Sequence, residues 1–190
     1  MINSYKKYIS FFVFLLVVVG IFFIINRSRD SVTTPSSTYR ELITAGHKLY
    51  LQEKYEEALP YFKKAVLLEQ SDRIYRSLYS VYLGLKDYKN AEIYIKKSVG
   101  INGEIPNNWL EYASFENYYM KAPFDVVSQV YLKGLEVTKN NIDLVTNYAG
   151  YLTENKKYNE AIVYLKKAIA IDPTRKDAFQ AEINSLQKGL

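Results

Sequence analysis

Apolar residues follow two arrangements along this chain. Ile9 to Ile25 is a largely apolar run without a charge. From Tyr39 onward, apolar positions instead recur every three or four residues: Leu42, Ala45 and Leu49, then Ala58, Phe62, Ala65 and Leu68. That spacing gathers apolar side chains on one face of a helix. It predicts a helix A from about Tyr39 to Gln52 and an antiparallel helix B from about Tyr55 to Glu69.

The pattern repeats. Lys54-Tyr55-Glu56-Glu57-Ala58 leading to Tyr61-Phe62-Lys63-Lys64-Ala65 returns as Asp87-Tyr88-Lys89-Asn90-Ala91 leading to Tyr94-Ile95-Lys96-Lys97-Ser98. It returns again as Lys157-Tyr158-Asn159-Glu160-Ala161 leading to Tyr164-Leu165-Lys166-Lys167-Ala168, with a degraded copy from Phe124 to Gly134 between them. The opening aromatics Tyr55, Tyr88, Phe124 and Tyr158 are 33, 36 and 34 residues apart. A fixed period near 34 predicts a stack of two-helix units.

Over about 39–175 the chain resembles the tetratricopeptide repeat (TPR) family. The small residues Gly46, Ala58 and Ala65 in the first unit, and Ala149, Ala161 and Ala168 in the fourth, carry the likeness, with Asp172-Pro173 as the stop. The resemblance implies an all-α, right-handed superhelical solenoid. Two units depart from it. Tyr79 fills the small position of the second, so its helices should sit further apart or the ring should turn outwards. Gly100 and Gly103 weaken the end of that unit's helix B. In the third, Trp109-Leu110-Glu111-Tyr112-Ala113-Ser114-Phe115-Glu116 looks like the related half-a-TPR (HAT) repeat, and the corner Met120–Phe124 carries two extra residues. A last amphipathic helix places Ala178, Phe179, Ile183 and Leu186 to cover the open end of the stack, which solenoids require.

The predicted organisation is a short basic N-terminus 1–8, a transmembrane helix 9–25 and a flexible linker 26–38. Units follow at 39–71, 72–105, 106–141 and 142–175, then a capping helix 176–190. The apolar run would rise roughly 26 Å as a helix, at the short end of what spans a bilayer core. It is longer than a usual signal-peptide core and no small-x-small cleavage site follows, so a retained single-pass anchor is expected. Lys6 and Lys7 precede it and Arg27 and Arg29 follow it, a weak positive-inside signal. A short basic start followed at once by an apolar run resembles a bacterial signal anchor. That resemblance puts the body on the extracytoplasmic side, periplasmic or cell-surface. The alternative is a cytosol-facing receptor or assembly factor on an organelle surface. The polar linker reaches at most about 40 Å, which keeps the body near the membrane.

Formal net charge is +5, much of it in the N-terminal segment. The body is nearly balanced, so no nucleic-acid partner is expected. There is no cysteine and one histidine, which excludes disulfides, thiolate metal sites, cysteine nucleophiles and multi-histidine metal sites. No phosphate loop or nucleophile motif appears, and neither an enzyme nor a cofactor is expected.

The TPR resemblance implies a concave wall of helix A faces that binds an extended or helical peptide. It carries over to Arg40, Ile43, His47, Tyr50 and Leu51, to Arg73, Arg76, Ser80 and Leu83, to Leu110, Ser114, Asn117 and Tyr118, and to Asp143, Thr146, Thr153 and Glu154. Arg73 and Arg76 stand one turn apart; they would hold a partner's carboxylate, or else be solvated or pair with Asp72 or Glu69. Chaperone-binding members of the family use a lysine–asparagine clamp. Ile43 and His47 stand at the places of its first lysine and asparagine, which argues against that activity. The recurring pairs Lys63-Lys64, Lys96-Lys97 and Lys166-Lys167 read as a solvated outer face imposed by the repeat, or as a basic ridge for anionic lipid or polysaccharide. The whole implies a membrane-anchored adaptor that binds a partner protein close to the membrane.

Overall fold

A computed structural model describes residues 35–188 of the protein. The expected transmembrane segment 9–25 lies outside the described residues, as does the linker up to residue 34. No helix among the described residues is long and apolar enough to cross a membrane. The chain divides into two units, Met1–Glu41 and Leu42–Leu190, and the packed helix pairs belong to the second.

The described residues are helical, with no strand. In order they form α1 (Pro35–Tyr50), α2 (Tyr55–Leu68), α3 (Asp72–Gly84), α4 (Tyr88–Ile101) and α5 (Pro106–Ser114), the last running on as a π-helical turn, Phe115–Tyr119. Then come α6 (Phe124–Val137), α7 (Ile142–Glu154), α8 (Tyr158–Ile171), a 3₁₀ turn (Pro173–Arg175) and α9 (Lys176–Lys188). Among the described residues α1 runs from Pro35, earlier than the Tyr39 expected.

Three of the four corners inside the helix pairs close in the same way. Lys54, Asp87 and Lys157 donate their backbone N–H to the carbonyls of Leu49, Tyr82 and Leu152, five residues back, at 3.0, 2.9 and 2.8 Å. Each bond skips over a left-handed residue, Glu53, Lys86 or Lys156, with φ of 60°, 58° and 61°. This is the Schellman closure, usually built on glycine. Asp87 also caps α4 by accepting from the Asn90 N–H at 3.2 Å, and Asn141 caps α7 by accepting from Asp143 and Leu144.

The third corner differs. Met120 donates to the Phe115 carbonyl five residues back, and Ala122 to the Glu116 carbonyl six back. The two extra residues seen in the sequence are thus divided. The π turn, which fits an extra residue into a helix, absorbs one, and the corner Met120–Pro123 takes the other.

Packing follows the small positions. A methyl at Gly46 would lie 2.9 Å from the Phe62 ring, and one at Gly134 would lie 2.8 Å from Trp109. Trp109 is held in turn by its indole N–H donating to the Gly103 carbonyl at 2.7 Å. One continuous core runs from Trp109 to Ile183 and takes in Leu144, Tyr148, Leu152, Leu165 and Phe179. Leu78, Leu144, Leu152 and Leu165 are almost wholly buried, each contributing about 1.5–3 kcal/mol from removal of apolar surface. On α9, Phe179 and Ile183 are buried and Leu186 packs against the core; Ala178, expected there too, is exposed.

Two further expectations are corrected. Tyr79 neither turns outwards nor splays its helices: it is buried, edge-on to Phe115 of the next unit with ring centroids 5.7 Å apart. The bulk that a small residue would have avoided is taken up between units. Leu68, placed on the apolar face by spacing, is 48% exposed because it ends α2 beyond the last packed turn.

Candidate functional site

Helix A faces of successive units meet in two hollows. The first, about 320 Å³, is lined by His47, Tyr50 and Leu51 at the end of α1, Phe62 of α2, and Arg73, Arg76, Ser77 and Ser80 of α3. The α3 residues recur at three and four positions, which puts them on one face. A wider depression of about 530 Å³ adjoins it, where Ile43, Thr44, Lys48 and Gln52 join His47, Leu51 and Arg73. Leu51 is 80% exposed beside it.

His47 is fixed from two sides. Its ring lies edge-on to Phe62 at 5.2 Å, and Nε2 is 3.1 Å from the Ser77 hydroxyl. Ser77 donates its own proton to the Arg73 carbonyl at 3.1 Å, so the imidazole Nε2–H is the donor between them. Burial and then the Arg73 guanidinium lower the His47 pKa, favouring the neutral ring.

Arg76 does not wait for a ligand. Its Nε donates to Glu111 Oε2 at 2.9 Å, and a second Nη2 donor reaches Glu111 Oε1. The forked pair ties α3 to α5 and raises the Arg76 pKa, chiefly through the Glu111 hydrogen bond. The carboxylate expected opposite Arg73 and Arg76 together is therefore supplied by the chain itself, and only to Arg76. Neither Asp72 nor Glu69 is the ion-pair partner. Arg73 is exposed, with no ion pair among the described residues.

The second hollow, about 280 Å³, is bounded by Ser114, Asn117 and Tyr118 at the π turn, Tyr131 of α6, and Thr146, Asn147, Gly150, Tyr151 and Glu154 of α7. Tyr131 stacks on Tyr148 at 5.2 Å and leans on Tyr151 at 5.5 Å. Its phenol pKa is pushed up to about 12 by burial, then by Tyr118 and Glu154. The Tyr151 hydroxyl donates to the Phe124 carbonyl at 3.4 Å.

Of the residues anticipated from sequence, Ile43, His47, Tyr50, Leu51, Arg73, Arg76 and Ser80 come together around the first hollow and its depression. Ser114, Asn117, Tyr118, Thr146 and Glu154 come together at the second. Others line neither. Arg40 lies before Leu42, on the α1 segment that belongs to the first unit. Leu110 packs against the core, and the Thr153 hydroxyl donates to the Ala149 carbonyl at 3.0 Å, within its own helix. Leu83 is half-buried, and Asp143 is exposed in the first turn of α7, where its carbonyl accepts from Thr146 and Asn147. Ser77, Asn147 and Gly150 were missed, although each lies one helical turn from a residue that was named. Glu111, one turn before Ser114, was missed as the ion-pair partner of Arg76, and Tyr131 carried no such signal because it sits on a helix B.

The lysine pairs lie on an exposed face, as expected, with only Lys167 half-buried, and several stand over tyrosine rings. Lys63 Nζ lies 5.8 Å above the Tyr82 ring, Lys97 lies 5.2 Å from Tyr94, and Lys167 lies 5.8 Å from Tyr164. Lys96 pairs with Glu92 and lies over Tyr112. Beside that pair, in the π turn, the Glu116 carboxyl is buried; desolvation, then Glu92, raise its pKa against the opposing pull of Lys96 and Tyr112. No group of three histidine, aspartate or glutamate side chains among the described residues is placed to hold a metal ion.

Comparison with known proteins agrees with this architecture. The family model for the tetratricopeptide repeat matches residues 80–105 and 142–175. The first match begins one residue after Tyr79, where the sequence departs from the pattern. The Hsp70-Hsp90 organising protein of Plasmodium falciparum is 26% identical over 133 residues, covering 69% of this chain. The matched stretch spans 52% of that relative, and 23% of a second form from isolate 3D7. Among solved structures, PilF of Pseudomonas aeruginosa superposes with a TM-score of 0.59 at 16% identity, covering 82% of this chain and 70% of that one. YrrB, a TPR protein with an unusual peptide-binding site, superposes with a TM-score of 0.54 at 23% identity, covering 77% and 75%. The tetratricopeptide repeat model therefore matches two of the four helix pairs, and the described residues share the fold of these solved helical-repeat structures.

Proposed function

We propose that this protein is a non-enzymatic adaptor, held to a membrane by residues 9–25, whose helix A faces bind a segment of a partner protein close to the bilayer. The observation that carries this reading is the pair of hollows between successive helix A faces, where polar groups of several helices converge on open space. YrrB, of similar fold, is described as having a peptide-binding site, which supports a peptide as the ligand. The Hsp70-Hsp90 organising protein likeness raises the question of chaperone tails. Ile43 at the clamp position, and His47 already bonded to Ser77, speak against a clamp of the chaperone-binding kind. An acidic group of the partner meets Arg73 instead. The body faces the extracytoplasmic side in this reading.

Photoreactive residues placed at Tyr50 and Asn117 of the membrane-bound protein will cross-link the partner. Capture only from the lysine-pair positions, such as Lys64, would overturn the groove assignment. A reporter fused after Leu190 is expected to be inactive if it requires the cytosol; cytosolic activity would reverse the orientation.

A further inference from the structure

We propose that the second hollow is a site for a single cationic side chain, the ammonium of a lysine or the guanidinium of an arginine on the partner. The inference deepens the adaptor reading and rests on it for the nature of the ligand.

Glu154 borders the hollow, and its carboxylate makes no hydrogen bond or ion pair among the described residues. Buried Tyr131 and half-buried Asn117 line the same space, and neither the Tyr131 hydroxyl nor the Asn117 side-chain amide has a hydrogen-bond partner among the described residues. The hollow thus presents an anionic acceptor, a phenol oxygen and an amide oxygen, and neither lysine nor arginine lines it. An ammonium brings three donors and a guanidinium five, with no acceptor of their own. A carboxylate ligand would meet Glu154 as a like charge.

The walls suit the same ligand. Exposed Tyr118 supplies an aromatic ring whose face attracts cations, while Tyr131 and Tyr151 are stacked on Tyr148 and Phe124 and line the wall as a packed aromatic backing. The chain's own Lys157 already lies 5.4 Å from the ring of Phe124, which stacks on Tyr151 at 5.5 Å. Burial first, then Tyr148, Asp125 and Glu154, raise the pKa of the Tyr151 phenol, so two carboxylates stand close enough to act on it. Gly150 leaves room: a methyl there would find no heavy atom within 4 Å. The first hollow has the opposite sense, with Arg73 exposed and Arg76 neutralised by Glu111.

The test uses the full-length, ¹⁵N-labelled protein in zwitterionic detergent, titrated with N-acetylarginine amide, N-acetyllysine amide and the neutral isostere N-acetylcitrulline amide. The two cations are expected to shift the Thr146, Asn147 and Gly150 amide signals saturably. Citrulline should bind about tenfold more weakly, as should either cation to Glu154→Gln, the loss of one charge-assisted hydrogen bond. Gly150→Leu, which fills the space and favours helix, should abolish the shifts while leaving the remaining spectrum intact. Equal binding of citrulline, indifference to Glu154→Gln, or shifts confined to Ser77 and Ser80 would overturn the site. Partner capture at Asn117 without cation-induced shifts removes the cationic site alone. Cation-induced shifts without any partner capture support the site and remove the adaptor reading.

Discussion

Helix A laid against helix A makes both hollows, yet Arg76 in the first is bonded to Glu111 while Glu154 in the second has no ion pair among the described residues. The first also contains His47, fixed between Phe62 and Ser77; in the second, the amide of Asn117 and the hydroxyl of Tyr131 have no hydrogen-bond partner among the described residues. One architecture therefore presents two chemistries. The recurring residues set where the hollows lie, and the residues that do not recur set what each can hold.

The largest expected effect separates the two regions. Gly134→Val drives a side chain into Trp109, and overpacking of this kind costs about 2 kcal/mol. Urea denaturation of the full chain should register that loss. The cation-induced Gly150 shift should weaken while the environment of His47 is unchanged; an equal disturbance of both hollows would show that they are not independent.

Next in size is Arg76→Gln, which leaves Glu111 without its cation. Both side chains are about a third exposed, so solvent screening reduces the loss to about 1 kcal/mol. A double-mutant cycle with Glu111→Gln should recover most of it. The freed Glu111 carboxylate should also turn the first hollow towards cations, so that N-acetylarginine amide now shifts Ser77 and Ser80. No such gain would mean that the pair does not set the contrast between the hollows.

A control leaves both hollows alone. Lys156 is left-handed at its corner, a conformation that glycine adopts without steric penalty. Lys156→Gly should raise stability by about 0.5 kcal/mol in thermal or urea unfolding and leave ligand-induced shifts unaltered.

The smallest effect concerns the π turn between the two regions. The Glu116 pKa is raised above its usual 4.5, so the folded state binds this proton more tightly than the unfolded chain. That contribution is fully present below about 4.5 and is lost as pH rises through the folded pKa. Glu116→Gln removes the dependence. Its melting temperature should therefore gain on the wild type as pH is raised from 4.5 towards neutral, and a constant difference would count against a buried ionisable carboxyl.

Much of the fold was legible because helix pairing is written in local spacing. The aromatic openings Tyr55, Tyr88, Phe124 and Tyr158 each begin an observed helix. What was not legible depends on contacts between units. Tyr79 looked too large for its position because its destination, Phe115, lies in the next unit. Arg76 looked available because Glu111 lies 35 residues away, beyond any helical neighbour rule. At the candidate site, the helix A positions followed from the repeat, but Tyr131 enters the second hollow from a helix B, which that rule does not cover.

The π turn has one more consequence, and it is angular. A residue added to an α-helix rotates everything downstream by about 100°. Added before Met120, it would have swung the Phe124 helix off the axis of the stack and turned Val127 and Tyr131 away from the seam they share with α7. By widening one turn from Phe115 to Tyr119, the chain confines that rotation to a single coil. The quantity the stack holds constant is therefore rotational phase, and the number of residues per unit is free to vary where a helix can be locally widened.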